Sequence, residues 1–208
     1  MISTEILASF FLVSILLAIT PGPDNIFVLT QSALRGRMAG LMVTLGLCSG
    51  LLVHTAAVAL GVAAIFQASM LAFTVLKLTG AAYLLYLAWQ AFRSAASEIR
   101  IGKDAGLTSG QLYRRGIIMN ITNPKVSIFF LAFLPQFANP KLGSMTVQML
   151  TLGAVFMLAT LLVFGAIALL AGSLGPWLQR SGKSQRIMNR MAGTVFAALA
   201  VKLVLATK

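Results

Sequence analysis

Apolar residues fill long, nearly unbroken runs along the chain, and polar positions are confined to the gaps between them. The runs cover residues 6–20, 26–34, 40–66, 70–92, 116–137, 146–174 and 187–206. About 20 apolar residues suffice for one helix to cross a bilayer. The first two runs flank Pro21-Gly22-Pro23-Asp24-Asn25 and read as one interrupted span. The pattern therefore predicts an all-α, polytopic membrane protein of about six transmembrane helices. The gaps are short: Gln67-Ala68-Ser69 joins spans two and three, residues 93–115 form a polar and flexible loop, and residues 175–186 form a second polar link. No linker separates independent domains, so residues 1–208 read as a single transmembrane unit. The first run has no Lys or Arg before it and no small-residue cleavage pattern after it, so it is expected to stay in the mature protein rather than act as a signal peptide.

Composition narrows the function classes. The chain is 59% hydrophobic and only 10% charged, far from the balance of a soluble domain, and six spans in 208 residues leave no room for a large catalytic domain. The 16 basic against 4 acidic residues give a formal net charge of +12. The basic residues are scattered between apolar runs and do not gather on one face, which speaks against a nucleic-acid partner. The lone Cys48 excludes an internal disulfide, a CxxC pair and a thiolate zinc site. A single His54 cannot supply two haem ligands, and four dispersed carboxylates make no metal cage. The sequence calls for no metal and no cofactor. A membrane-embedded enzyme would need a nucleophile with its base, and neither is visible.

Basic residues in short loops orient a membrane protein, because they resist translocation. Arg35 and Arg37 follow span one; Arg93, Arg100, Lys103, Arg114 and Arg115 follow span three; Arg180, Lys183, Arg186 and Arg190 follow span five. The other side holds Lys141, Lys202 and Lys208. The basic loops are therefore expected in the cytoplasm and both termini outside, unless the interrupted first segment is re-entrant.

An offset of 102 residues aligns Ile19-Thr20-Pro21-Gly22-Pro23-Asp24-Asn25-Ile26-Phe27-Val28-Leu29 with Ile121-Thr122-Asn123-Pro124-Lys125-Val126-Ser127-Ile128-Phe129-Phe130-Leu131, with five of eleven positions identical. Both segments carry a proline-containing polar interruption at the same place. Lys77, Gly80 and Tyr83 match Arg190, Gly193 and Phe196 in spacing, a weaker correspondence that does not share the offset of 102. The halves are then residues 1–93 and 116–208, joined by a cytoplasmic loop at 94–115. Three spans in each half invert the second relative to the first, the organisation of secondary transporters.

Proline removes a backbone donor, so breaks at Pro21, Gly22, Pro23 and at Pro124 free backbone groups at membrane depth, where protein, water or a ligand must satisfy them. The new half-helix N-termini suit a carboxylate and the C-terminal carbonyls suit an ammonium. Proline kinks also occur purely for packing. Asp24 is the sharpest candidate, since a carboxylate near the bilayer centre is disfavoured by about 2.5–3.5 kcal/mol. It reads as the group that binds the substrate ammonium or carries the coupling proton, or else as a static N-cap of the helix that follows. Asn25 and Asn123 share the two interruptions. Lys77 either pairs with Asp24, receives a carboxylate or snorkels to the interface. Lys125 either caps the broken helix or compensates Asp24 across the repeat. His54 relays protons or packs. Gly46 and Gly50, like Gly36 and Gly40, offer small-residue faces for close helix approach, within the chain or in a homo-oligomer. Tyr83, Tyr86 and Trp89 before Arg93 read as an interfacial aromatic anchor.

Pro21-Gly22-Pro23, Lys77 with Gly80-Ala81-Ala82-Tyr83-Leu84, and Asn123-Pro124-Lys125 with Phe133-Leu134-Pro135-Gln136-Phe137 resemble the LysE superfamily of amino-acid exporters, most closely its RhtB branch, from end to end. The resemblance implies a bacterial inner-membrane, multi-pass exporter of amino acids or derivatives of the threonine, homoserine or homoserine-lactone class, driven by the proton gradient. Basic-amino-acid exporters of this superfamily carry intramembrane aspartates on other spans. Spans two and four here have no carboxylate, which favours a neutral substrate over lysine or arginine. The alternatives are a basic amino-acid exporter of the same superfamily, a passive channel, separable by its indifference to the proton gradient, and a membrane-embedded protein without transport activity.

Overall fold

The computed structural model describes residues 2–62, 70–94, 106–180 and 182–205, and these are helical almost throughout. Helix α1 (Thr4–Ile19) starts at Ser3, whose hydroxyl accepts from Ile6 N. Helix α2 (Pro23–Arg35) follows the first break. Gly36, at φ +85, turns the chain from α2 into α3 (Arg37–Ala57), a left-handed conformation that favours glycine. A π-helical turn, Val58–Val62, extends α3. Helix α4 (Met70–Arg93) is continuous. Helices α5 (Ser109–Thr122) and α6 (Pro124–Ile128) flank the second break, and α6 runs on through a π-helical turn, Phe129–Phe133, and a 3-10 turn, Leu134–Phe137. Helices α7 (Met145–Arg180) and α8 (Gly182–Leu205) complete the chain.

The protein is a polytopic membrane protein. Among the described residues three helical stretches are long and apolar enough to cross a membrane, Arg37–Gly61, Met145–Ala171 and Arg186–Leu205, and two bent pairs raise the number to five. Leucines such as Leu12, Leu45, Leu52, Leu161 and Leu169 point outward, as expected of helices whose solvent is lipid. Helix α4, where the remaining span is expected, is not among these stretches.

Two expectations about the links need correction. Residues 175–186 were expected as a polar link, but α7 continues to Arg180 and α8 resumes at Gly182, because Leu178, Gln179 and Arg180 have good helix propensity and polarity alone does not end a helix. The polar stretch 93–115 is helical from Ser109 onward. Thr108 and Gln111 form a capping box there, Thr108 Oγ1 accepting from Gln111 N and Gln111 Oε1 from Thr108 N. The middle of that stretch, 95–105, lies outside the described residues.

Helix α3 sits at the centre and packs against α2, α5 and α7; α1 packs against α7, and α4 against α8. The α3–α5 crossing is backbone against backbone. A Cβ on Gly46 would run into the Tyr113 carbonyl, and one on Gly116 would meet the Val43 carbonyl. Gly50 lies against the Asn120 side chain. The small-residue face that includes Gly46 is thus used within the chain. Ser49 Oγ and Tyr113 Oη hydrogen-bond across the same crossing at 2.8 Å.

Candidate functional site

Each proline break leaves carbonyls without their helical partners, and the structure accounts for several of them individually. At the first break the axis bends by 63°. Pro21 has no N–H for the Leu17 carbonyl, which instead accepts from Lys125 Nζ at 3.3 Å. Lys125 Nζ also donates to Thr20 O at 3.1 Å. The Ala18 carbonyl accepts from Asn25 Nδ2 at 2.7 Å. At the second break the bend is 51°. Pro124 cannot serve the Asn120 carbonyl, which accepts from Asn123 N at 3.1 Å and from His54 Nε2, also at 3.1 Å. Since a carbonyl only accepts, Nε2 is the protonated ring nitrogen of His54.

The two breaks are therefore locked to each other. Lys125, in the first turn of α6, reaches the C-terminal end of α1. In the reverse direction Asn123, the N-cap of α6, donates from Nδ2 to Asp24 Oδ2 at 2.8 Å, while its own Oδ1 accepts from Lys125 N at 3.0 Å. Asp24 is 2% exposed and Lys125 7% exposed. Asp24 lies in the first turn of α2, whose N-cap is Gly22; the N-cap alternative for Asp24 is thus corrected, and its carboxylate instead faces the positive end of the helix dipole. Gly22 keeps the space clear, since a Cβ there would stand 3.3 Å from Lys125 Nζ and 3.8 Å from Asn25 Oδ1.

The site retains unused capacity. Asp24 Oδ1 and Asn25 Oδ1 are buried without a hydrogen-bond partner, as is Asn120 Oδ1 beside the second break. All three are acceptors suited to an ammonium. An ammonium has three donors, and the two carbonyls occupy two of those on Lys125, which leaves one for an acceptor such as a carboxylate. Among the described residues no cluster of His, Cys, Asp and Glu could hold a metal ion.

The structure brings together Asp24, Asn25, Asn123 and Lys125 with the breaks at Pro21, Gly22, Pro23 and Pro124. His54 joins through the Asn120 carbonyl and its ring lies 5.5 Å from that of Phe130. The cation beside Asp24 is Lys125. Lys77 is half-buried on α4 and is not a partner of Asp24, because α4 packs chiefly against α8. The sequence reading missed Asn120, Gln31 and Arg35, which carry buried unpartnered atoms. Helical spacing from Asp24 through Val28 to Gln31 and Arg35 was the available signal for two of them.

A family model for LysE type translocators matches residues 15–207. The chain belongs to that family. It is 34% identical over 189 residues to the homoserine/homoserine lactone efflux protein of Salmonella typhimurium (strain LT2), with 90% of each chain covered. An uncharacterized membrane protein of Vibrio cholerae is 30% identical over 188 residues, covering 90% of this chain and 91% of the relative. A leucine efflux protein of Salmonella typhimurium (strain LT2) is 24% identical over 191 residues, covering 91% and 90%. No solved structure matches. The resemblance carried by Pro21-Gly22-Pro23 and Asn123-Pro124-Lys125 is borne out at the level of the family, and the similarity to a homoserine/homoserine lactone efflux protein agrees with the RhtB branch.

Proposed function

We propose that this LysE-family chain is a secondary exporter of a neutral amino acid or close derivative, of the homoserine class, which works by proton antiport with alternating access at the crossing of its two broken helices. The observation that carries the reading is the buried exchange between the breaks: Asn123 to Asp24, Lys125 to the carbonyls of Leu17 and Thr20, and a spare carboxylate oxygen on Asp24. The relatives named for homoserine and leucine efflux support the substrate class.

The substrate ammonium is received by Asp24 Oδ1 and Asn25 Oδ1, and its carboxylate by the remaining donor of Lys125. On the outer side a proton adds to the Asp24 carboxylate, which cancels its attraction for the ammonium, and the amino acid leaves. After reorientation Asp24 releases that proton to the cytoplasm and is ready for the next substrate. One proton moving inward across about 150 mV supplies about 3.5 kcal/mol, which sustains a gradient of a few hundred-fold. The Lys125 ammonium inside the cluster disfavours lysine or arginine as cargo.

Two inverted halves, 1–93 and 116–208, are part of the proposal. The pairing of α3 with α5 and of α1 with α7 is what exchange of the halves generates, and α3–α7 and α4–α8 are the pairs such an exchange maps onto themselves. The basic loops then lie in the cytoplasm of a bacterial cell, both termini lie outside, and the chain sits in the inner membrane.

The test is uptake of labelled homoserine, leucine and lysine into inverted vesicles, with and without an uncoupler. Homoserine uptake that the uncoupler abolishes, and that Asp24→Asn abolishes at normal abundance, is the expected result. Normal uptake by the Asp24→Asn variant would remove Asp24 from the mechanism, and uptake indifferent to the gradient would assign a passive channel.

A further inference from the structure

Among the described residues six buried side-chain nitrogen or oxygen atoms lack a hydrogen-bond partner, and four of them belong to α2: Asp24 Oδ1, Asn25 Oδ1, Gln31 Oε1 and Arg35 Nη1. Such atoms are costly and rare in native proteins. Their concentration on one helix of 13 residues calls for a ligand that visits it. Asp24, Val28, Gln31 and Arg35 recur at helical spacing and share one face of α2. Val28 is fully buried and Gln31 is 1% exposed.

At the rise of an α-helix Gln31 lies about 10 Å and Arg35 about 16 Å along the axis from Asp24. That distance is close to half of a hydrocarbon core of about 30 Å, so the face connects the break to the basic turn Arg35-Gly36-Arg37. One amino acid cannot touch Asp24 and Arg35 together. Gln31 and Arg35, however, are one turn apart, about 6 Å along the axis, and their free atoms are complementary. The Gln31 amide oxygen accepts from an ammonium, and the Arg35 guanidinium donates to a carboxylate with the geometry that favours arginine for this pairing.

We propose that Gln31 and Arg35 form a second substrate station, which takes a zwitterionic α-amino acid from the side of the basic turn before it reaches Asp24. The station rests on the exporter reading. Arg35 holds the carboxylate, Gln31 the ammonium, and the molecule then moves two turns along α2 to the break, where Asp24 replaces Gln31 as the ammonium acceptor.

The first experiment compares L-homoserine with L-homoserine lactone, which lacks a free carboxylate, in vesicles containing the full chain. Arg35→Gln is expected to raise the KM for homoserine about tenfold and to leave that for the lactone unchanged. An equal change for both compounds, or none for either, overturns the station. The second places Gln31→Cys in a Cys48→Ala background, so that only one thiol is present, and labels it with a membrane-impermeant thiol reagent. Labelling faster than at Val43→Cys, a fully buried position on α3, and slowed by homoserine, is expected. An unlabelled Gln31→Cys in a protein that still exports overturns the station alone, whereas a wild-type protein that moves neither homoserine, its lactone nor leucine overturns the exporter reading and the station's ligand with it.

Discussion

The two breaks meet the same problem, prolines inside an apolar helix, with different chemistry. At the first, freed carbonyls are held by long side chains: Lys125 takes those of Leu17 and Thr20, and Asn25 takes that of Ala18. The helix that resumes, α2, is polar along one face and carries four buried unpartnered atoms. At the second, the Asn120 carbonyl is served by Asn123 and His54, and the chain then turns through π-helical and 3-10 geometry within an aromatic cluster. Phe129, Phe130 and Phe156 lie with ring centroids 5.1–6.4 Å apart, and Phe133, Phe137 and Phe10 extend the cluster. The first break thus keeps most of the unpartnered polar atoms, with Asn120 Oδ1 the one beside the second, whose limb is otherwise given to aromatic packing. Under the proposed function the polar limb receives the cargo, and the aromatic limb forms the wall beside it.

That division can be broken by mutation. The largest loss of stability is expected at the aromatic limb: Phe130 is fully buried, so Phe130→Ala should lower the unfolding free energy in detergent by about 3–5 kcal/mol while leaving the KM of the protein that remains folded close to wild type. A KM change larger than the stability change would place Phe130 at the cargo. Comparable in size is Lys125→Met, which leaves the Leu17 and Thr20 carbonyls unpaired, about 2–6 kcal/mol for the two together. This variant should lose stability and export together, and retention of full export would show that the cation only holds the break shut. The smallest effect is expected for His54→Phe, which removes one of two donors to the Asn120 carbonyl. The unfolding free energy should fall by about 1 kcal/mol with export preserved, and loss of export at unchanged stability would assign His54 the role of proton relay.

Much of this arrangement was legible in the chain itself. The apolar runs gave the helices and the offset of 102 residues gave the paired breaks, because prolines and polar residues inside apolar segments are strong signals at membrane depth. Asp24, Asn25, Asn123 and Lys125 stood out for that reason. Direction was not legible. That Lys125 reaches back to α1, and that Asn123 rather than Lys77 binds Asp24, depends on how the two bent helices cross, which no local pattern encodes. Gln31 and Arg35 were overlooked because they resemble the ordinary polar end of a helix near a basic turn. Their helical spacing from Asp24 is the one signal in the chain, and their buried unpartnered atoms are what set them apart. The helical ends at Arg180 and Ser109 were misplaced because polarity was read as a stop, although capping and propensity decide where a helix ends.

The central claim is that the two breaks act as one unit through Asp24 and Asn123. A double-mutant cycle of Asp24→Ala and Asn123→Ala, read as unfolding free energy in detergent, tests it most directly. The expected coupling is at least about 1 kcal/mol, because the pair is in direct, buried contact. Changes that add within about 0.3 kcal/mol would mean that the breaks stand independently and would contradict the claim.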